Sequence, residues 1–391
     1  MLADLHAHYP MHVLGDVTRK ATLKRMRNVL GRRGVDNKWR AAVLWAASLL
    51  FNKRDWVSKY RISVDGLRAG GVGLAMSVLY GPFEEMDLDE AYSAAPRSDY
   101  FERLEQDLLA MESEVAEQDP SRIRFVSNRV ELDECLDDGA TALVHCVEGG
   151  FHLGDADEEI QQNVATLAGY GVAYITVAHL FFRQVATNSP ALPFLSDRAY
   201  DWLFPQAEGE GLTERGKVLL RAMVSNRILI DISHMRADAI EETFRMLDRE
   251  LDRPGQVPVI STHAGFRFGE QVYMHDRDTV ERIARRGGVI GLIMAQHQLN
   301  DGVLRGGTRN FPESFDVIRR HIDRIASITG SHEHVALGTD FDGFIKPTMG
   351  GLEAMGDLWR LEDALRETYG EADASLIASD NALRVLKAVW T

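Results

Sequence analysis

Short apolar segments rich in β-branched residues alternate with segments of helical periodicity along most of the chain. Apolar runs of this length predict strands, and the longer stretches between them, with apolar residues every three or four positions, predict helices. The predicted strands are Met1–Leu5, Gly71–Leu79, Ala142–Val147, Val172–Val177, Ile228–Ile232, Val257–Ser261, Gly288–Met294 and Val335–Gly338. The predicted helices are Tyr100–Glu117, Asp157–Ala168, Thr213–Ser225, Ala237–Arg249, Thr279–Arg285 and Phe315–Ile328. Strands that alternate with helices are typical of a parallel sheet.

Eight predicted strands favour a closed (β/α)8 barrel over an open sheet, so we expect a single domain over residues 1–391. A ninth apolar run, Arg122–Val126, is short and charged at its edges, which predicts a surface extension of the sheet. Residues 11–60 are predicted to form a helical insertion after the first strand, and residues 350–391 to form C-terminal helices. Residues 181–210 are rich in aromatic side chains and predict a long ordered loop that covers a pocket.

Candidate chemistry lies at the ends of the predicted strands. In such barrels the active site is built at the carboxyl end of the strands. Six strands carry a histidine, glutamate or aspartate at this end, and the seven residues are His6, His8, Glu148, His179, His234, His263 and Asp340. A second histidine pair, His332 and His334, precedes the last strand and therefore falls on the opposite face of the barrel.

One histidine at a strand end is more often structural than functional, but six such ends together predict a metal centre. Imidazole and carboxylate groups are ligands of zinc and similar divalent ions. One carboxylate can also bridge two ions about 3.5–4 Å apart, as in two-metal hydrolases. We therefore expect one or two divalent ions, with zinc the first candidate.

Composition narrows the classes of partner. The formal net charge of −15 argues against nucleic acid or an anionic membrane surface as the main partner. It says little about the expected small-molecule substrate, because a bound metal can reverse the local field. No apolar run reaches the length of a membrane-spanning helix. The two cysteines, Cys135 and Cys146, provide no disulfide framework, which indicates the reducing cytoplasm. The apolar run 41–51 predicts a buried or lid helix, or alternatively the contact of a homodimer.

The chain resembles the membrane (renal) dipeptidase family, the metal-dependent dipeptidases of the amidohydrolase superfamily. The resemblance rests on VEGG at 147–150, YITVAH at 174–179, the segment 211–234 ending in DISH, PVISTHAGFR at 258–267, and the segment 321–343 ending in GTDFDG. It implies that His6 and His8 bind a first metal ion, His234 and His263 a second, and that Glu148 bridges the two. It also implies that Asp340 takes a proton from a metal-bound water and passes it to the leaving amine. His179 would polarise the scissile carbonyl or hold the developing oxyanion.

Two positions depart from the family pattern. The family has His-x-Asp at the first motif, whereas this chain has His8, so a weaker first site or a one-metal enzyme is expected. Tyr273 stands where the family has an arginine that holds the substrate carboxylate, and Arg267 or Arg277 could compensate.

The leading prediction for the function is a metal-dependent dipeptidase. The alternatives are a hydrolase of another small amide, lactone or ester and, third, a non-catalytic barrel protein.

Overall fold

The computed structural model describes residues 1–14, 60–87, 90–192, 195–206, 209–251, 255, 257–343, 345 and 347–390, with the backbone alone at His12 and Phe83. Within these residues lie nine parallel strands. They are β1 Leu2–Ala7, β2 Val72–Leu79, β3 Ile123–Phe125, β4 Thr141–Glu148, β5 Tyr174–Thr176, β6 Leu229–Asp231, β7 Val259–Ala264, β8 Ile290–Leu292 and β9 Val335–Leu337.

Eight of these strands close into a ring. The hydrogen-bonded order runs from β2 through β1, β9, β8, β7, β6 and β5 to β4, and β2 pairs with β4 to complete the barrel. Strand β3 pairs with the first residues of β4, Thr141 to Leu143, and stands outside the ring. The prediction of a (β/α)8 barrel with a short extension at Arg122–Val126 is confirmed.

Helices follow the strands around the ring. The main ones are α1 Pro10–Val13, α2 Val64–Ala69, α3 Pro82–Met86, α4 Asp99–Ala116, α5 Arg129–Asp137, α6 Asp157–Gly169, α7 Asp197–Leu203, α8 Glu214–Ser225, α9 Ala237–Met246, α10 Arg277–Arg285, α11 Gln296–Leu299, α12 Phe311–Thr329, α13 Trp359–Ser375 and α14 Asn381–Val389. The predicted C-terminal helices are present as α13 and α14. Of the predicted insertion 11–60, residues 15–59 lie outside the described residues.

A buried apolar cluster joins the barrel to the C-terminal helix. Leu5, Leu74 and Val144 of strands β1, β2 and β4 form one buried cluster with Leu386 and Val389 of α14. Burying side chains of this kind contributes about 1.5–3 kcal/mol each. The C-terminal helix is thereby joined to the strands, as the apolar spacing of its sequence requires.

The segment 181–210 contains a helix that its sequence did not predict. Ser196 caps α7 by accepting a hydrogen bond from the Ala199 amide. Tyr200 and Phe204 pack with Phe181 in a separate hydrophobic cluster, so the segment has its own small core. The segment therefore contains a helix and is not a plain loop.

Candidate active site

The predicted histidines and carboxylates converge at the carboxyl end of the barrel. The seven residues are His6, His8, Glu148, His179, His234, His263 and Asp340, and none is more than 7 % exposed. His234 and Asp340 have left-handed backbone conformations, with φ of 66° and 56°. Such a conformation costs a non-glycine residue about 1–3 kcal/mol, and residues of this kind cluster at active sites.

Glu148 lies at the centre of the group. Its Oε1 atom is 3.3 Å from Nε2 of His6 and 3.5 Å from Nε2 of both His234 and His263. Neither carboxylate oxygen has a hydrogen-bond partner among the described residues, although both are buried. A buried carboxylate without donors is costly, and a coordinated cation removes that cost. The chemistry of the site therefore fits a metal ion.

The other oxygen of Glu148 faces a second set of side chains. Its Oε2 atom is 3.3 Å from Nε2 of both His8 and His179. Asp340 lies beside them, with Oδ1 at 3.1 Å from Nε2 of His8 and 3.9 Å from Nε2 of His6. Asp340 thus lies next to the first histidine pair, and its carboxylate and that of Glu148 both approach Nε2 of His8.

The imidazole nitrogens form two pairs. Nε2 of His6 is 3.3 Å from Nε2 of His8, and Nε2 of His234 is 2.9 Å from Nε2 of His263. Each pair makes a compact group with Glu148, in which the potential ligand atoms lie within 4.8 Å of one another. Two such groups that share one carboxylate match the arrangement of a bridged two-metal centre.

The pKa shifts follow from burial and from the neighbouring charges. Burial alone would raise the pKa of Glu148, but the rings of His179 and His6 lower it well below its usual value. Burial is also the main reason why the pKa values of His263 and His234 are lowered. Those two rings are therefore neutral near pH 7, and a neutral imidazole is the form that binds a metal.

His8, the residue that departs from the family pattern, behaves differently. Burial lowers its pKa, but the hydrogen bond to Asp340 and the charge of Glu148 outweigh burial, so the pKa is raised. A histidine in place of an aspartate removes one negative charge from the first group. We infer that this group depends on Asp340 and Glu148 for its negative potential.

His179 is held by a residue that sequence reasoning missed. Its Nδ1 atom is 2.8 Å from Oε2 of Glu85, which is almost fully buried in α3. Glu85 also accepts hydrogen bonds from the Tyr80 hydroxyl at 2.7 Å and the Phe181 amide at 2.9 Å. The ring of Tyr80 lies 4.5 Å from that of His179. Glu85 and Tyr80 follow β2, a strand of the barrel to which no candidate had been assigned.

Tyr273 lies in the site beside the second histidine pair. Its ring centroid is 5.0 Å from that of His234, and its hydroxyl donates a 2.6 Å hydrogen bond to the carbonyl oxygen of His263. Burial raises the pKa of Tyr273 well above its usual value, so the phenol stays neutral. The hydroxyl is engaged by the backbone and offers no positive charge.

The two arginines proposed as substitutes for the family's arginine are engaged by carboxylates. Arg267 pairs with Asp276 at 3.0 Å, and Arg277, at the start of α10, pairs with Glu281 at 2.9 Å. The Arg277 side chain is more than half exposed.

The second histidine pair lies at the opposite face of the barrel, as the polarity of the strands predicts. His334 precedes β9 and forms a hydrogen bond with the carbonyl oxygen of Gly288.

A sequence profile of the membrane dipeptidase family (peptidase family M19) matches residues 25–391. An uncharacterized protein from the pqqA 5′ region of Klebsiella pneumoniae is 26% identical over 288 residues, which cover 72% of this chain and 94% of that protein. None of the helices among the described residues has the length and apolar character needed to cross a membrane.

Solved structures share the fold. The dipeptidase AC, a metallopeptidase of family M19, superposes with a TM-score of 0.67 at 18% identity, covering 100% of this chain and 98% of its own. A metallopeptidase from Rhodobacter sphaeroides, liganded with a phosphinate mimic of the dipeptide L-Ala-D-Ala, also has a TM-score of 0.67 at 18% identity, covering 100% and 99%. At this identity the likeness shows the fold alone.

Proposed function

The chain belongs to the membrane dipeptidase family, a family of metal-dependent dipeptidases, and from this premise we propose how its own residues carry out the hydrolysis. The proposed reaction is cleavage of the amide bond of a dipeptide-like substrate. The observation that supports it most is the buried Glu148 carboxylate, which finds no hydrogen-bond donor in the described part of the chain and is surrounded by imidazole nitrogens.

We propose that His6 and His8 would hold one divalent ion and His234 and His263 another, with the Glu148 carboxylate available to both. Zinc suits this mixture of imidazole and carboxylate ligands. Such ions lower the pKa of a bound water and polarise a carbonyl oxygen. With His8 in place of an aspartate, the first group has one negative charge fewer and would hold its ion more weakly than the second group.

Asp340 is the proposed proton carrier. Its carboxylate is 3.1 Å from His8 and lies beside the Glu148 group, so a water held there is within its reach. Asp340 accepts the proton of the attacking water and later donates it to the leaving amine. A well-placed general acid–base group contributes about 10²–10⁴-fold to the rate.

His179 is proposed to stabilise the negative charge that develops on the carbonyl oxygen. Burial lowers its pKa, but the charges of Glu148 and Glu85 raise it above the usual value overall. Glu85 accepts the hydrogen bond from Nδ1, and the opposite nitrogen Nε2 faces the site, where it donates when the ring carries its second proton. A fixed donor aimed at the developing charge is worth about 2.7–4 kcal/mol in comparable sites.

Tyr273, which stands where the family has an arginine, offers no positive charge to bind a substrate carboxylate. The Rhodobacter sphaeroides structure binds a phosphinate mimic of a dipeptide, which supports a dipeptide-sized substrate. Tyr273 is proposed to form a neutral wall of the pocket, and Arg267 or Arg277 would have to release its carboxylate partner to bind substrate. This favours a second candidate function, the hydrolysis of a small amide, lactone or ester without a free carboxylate.

Location and assembly stay predictions from the sequence. Cys135 and Cys146 are both free and buried, which supports a reducing compartment such as the cytoplasm. The segment 41–51, from which a homodimer contact was predicted, lies outside the described residues.

The Asp340→Asn variant tests the proposed proton carrier. Asparagine keeps the shape of the side chain but cannot take the proton, so kcat should fall by about 10²–10⁴-fold while zinc content is retained. The assay combines turnover of dipeptides of both chiralities with a parallel panel of N-acyl amino acids and lactones. Near-normal turnover in this variant would exclude Asp340 as the proton carrier. Wild-type activity on lactones alone would favour the second candidate function.

A further inference from the structure

The hydroxyl of Thr262 contacts one histidine from each of the two proposed ligand pairs. Thr262 lies in β7 directly before His263. Its Oγ1 atom is 3.1 Å from Nδ1 of His6 and 2.8 Å from Nδ1 of His263. Both rings present their other nitrogen, Nε2, to Glu148. A single buried hydroxyl therefore contacts one ring of each ligand pair on the side that points away from Glu148.

The direction of these hydrogen bonds follows from a count of protons. Thr262 donates its one hydroxyl proton to Oδ2 of Asp231 at 2.7 Å. Its two remaining acceptor positions can then receive only N–H groups, one from His6 and one from His263. With the proton on Nδ1, the lone pair of each ring is on Nε2, the atom that faces Glu148. The hydroxyl thus selects the tautomer that can bind a metal.

Asp231 anchors Thr262 and is not a third metal ligand. One of its oxygens lies within 4.8 Å of a ring nitrogen of His6 and of His263. Its carboxylate, however, already accepts hydrogen bonds from the Thr176 hydroxyl, from the hydroxyl and amide of Ser233, and from the hydroxyl and amide of Thr262. These five donors occupy both oxygens, so Asp231 fixes the position of Thr262.

We propose that Thr262 is a positioning residue that orients His6 and His263 for metal binding, and so couples the two halves of the centre. This rests on the proposed metal site. The other two ligand histidines lack this support, since Nδ1 of His8 and of His234 has no hydrogen-bond partner among the described residues. Two of the four imidazoles are therefore oriented through one side chain.

The two rings do not depend on Thr262 equally. Nδ1 of His6 is also 2.9 Å from the hydroxyl of Tyr174, which donates to the carbonyl of Leu5 and can accept from the ring. For His263, Thr262 provides the one hydrogen bond to Nδ1 found in the described part of the chain. Loss of the Thr262 hydroxyl should therefore weaken the ion held by His234 and His263 more than the ion held by His6 and His8.

The test is the zinc affinity of the Thr262→Val variant, measured by competition with a chromophoric chelator and by metal analysis. Valine keeps the shape of threonine without the hydroxyl. Loss of an outer hydrogen bond to a ligand typically costs about 10–100-fold in metal affinity, and we expect a loss of this size for the ion held by His234 and His263, the more tightly bound of the two. Thr262→Ser retains the hydroxyl and should restore the affinity to within about threefold of wild type.

Thr176→Val is the matched control. The Thr176 hydroxyl donates to the same oxygen of Asp231 at 2.6 Å, but it has no hydrogen bond to a ligand histidine. This variant should keep the wild-type zinc affinity. Equal losses in Thr176→Val and Thr262→Val, or wild-type affinity in a folded Thr262→Val, would overturn the proposed role. A wild-type protein that binds no zinc would instead overturn the proposed metal site itself.

Discussion

Gly343 gives a direct way to displace Asp340 without altering its chemistry. A Cβ atom added at Gly343 would lie 2.0 Å from Oδ1 of Asp340 and 2.8 Å from Cδ2 of His8. Real Cβ contacts essentially never fall below 3.0 Å, so Oδ1 must move by about 1 Å (3.0 − 2.0). Gly343 is not among the glycines with positive φ, and alanine is therefore compatible with its backbone.

The expected cost falls on activity and not on stability. The carboxylate is the end of a side chain and can rotate away, so the fold loses little. A displacement of about 1 Å at a reacting group costs about 10²-fold in rate, which corresponds to about 2.7 kcal/mol. We therefore expect kcat of Gly343→Ala to fall about 100-fold, expressed per bound zinc, with a thermal midpoint close to that of wild type.

The assay uses the dipeptide that wild type hydrolyses fastest, together with zinc analysis and thermal unfolding of the same samples. Gly169→Ala is the matched control, because a Cβ atom there meets no atom within 4 Å. The control should keep wild-type turnover. Turnover of Gly343→Ala within about threefold of wild type would refute the claim that the position of the Asp340 carboxylate limits the rate.

Three further predictions test other parts of the account. Glu148→Ala should purify without zinc, because both ligand groups lose their shared carboxylate; full zinc content by metal analysis would contradict this. Glu85→Gln replaces a charge-assisted hydrogen bond to His179, worth about 1.5–3 kcal/mol, so kcat should fall about 10–100-fold with KM little changed. An unchanged kcat would show that Glu85 only supports the fold. Acid should destabilise the protein through His321, whose pKa burial lowers from 6.5 to about 4. The native state resists protonation while the unfolded state does not, so stability is lost as pH falls from 6.5 towards 4, by about 1.4 kcal/mol at about pH 5.5. Urea unfolding of wild type and His321→Gln at pH 7 and 5.5 measures this, and equal pH dependence in both would contradict it.

The polarity of the strands explains why much of the site could be predicted from sequence. In a parallel barrel all carboxyl ends meet at one face, so residues far apart in sequence, such as His6 and Asp340, are brought together by topology alone. The same rule separated His332 and His334 from the site, and the structure places them before β9.

The parts that were missed carry no periodic signal. Glu85 lies in a helix of five residues after β2, too short for an apolar pattern to show. Thr262 and Asp231 are polar residues inside strands, and nothing in the sequence says which hydroxyl or carboxylate will meet a ligand histidine. The short helix α7 has one buried residue, Tyr200, and so lacks the repeated apolar spacing of the longer helices.

The ion pairs that side chains form cannot be predicted from the sequence either. Arg267 and Arg277 were predicted to serve a substrate carboxylate, yet each pairs with a nearby acidic residue, Asp276 or Glu281. Tyr273, by contrast, enters the site and bonds to the backbone of a proposed ligand. Substrate preference therefore depends on contacts that only the structure gives.

The central claim is that this chain is a dipeptidase whose activity requires metal held by the histidines around Glu148. The most direct measurement is dipeptide turnover by one preparation before chelation, after chelation, and after zinc is restored in known stoichiometry. We expect turnover to disappear with the metal and to return as one or two ions bind per chain. Dipeptide hydrolysis that continues at full rate in the metal-free protein would contradict the account.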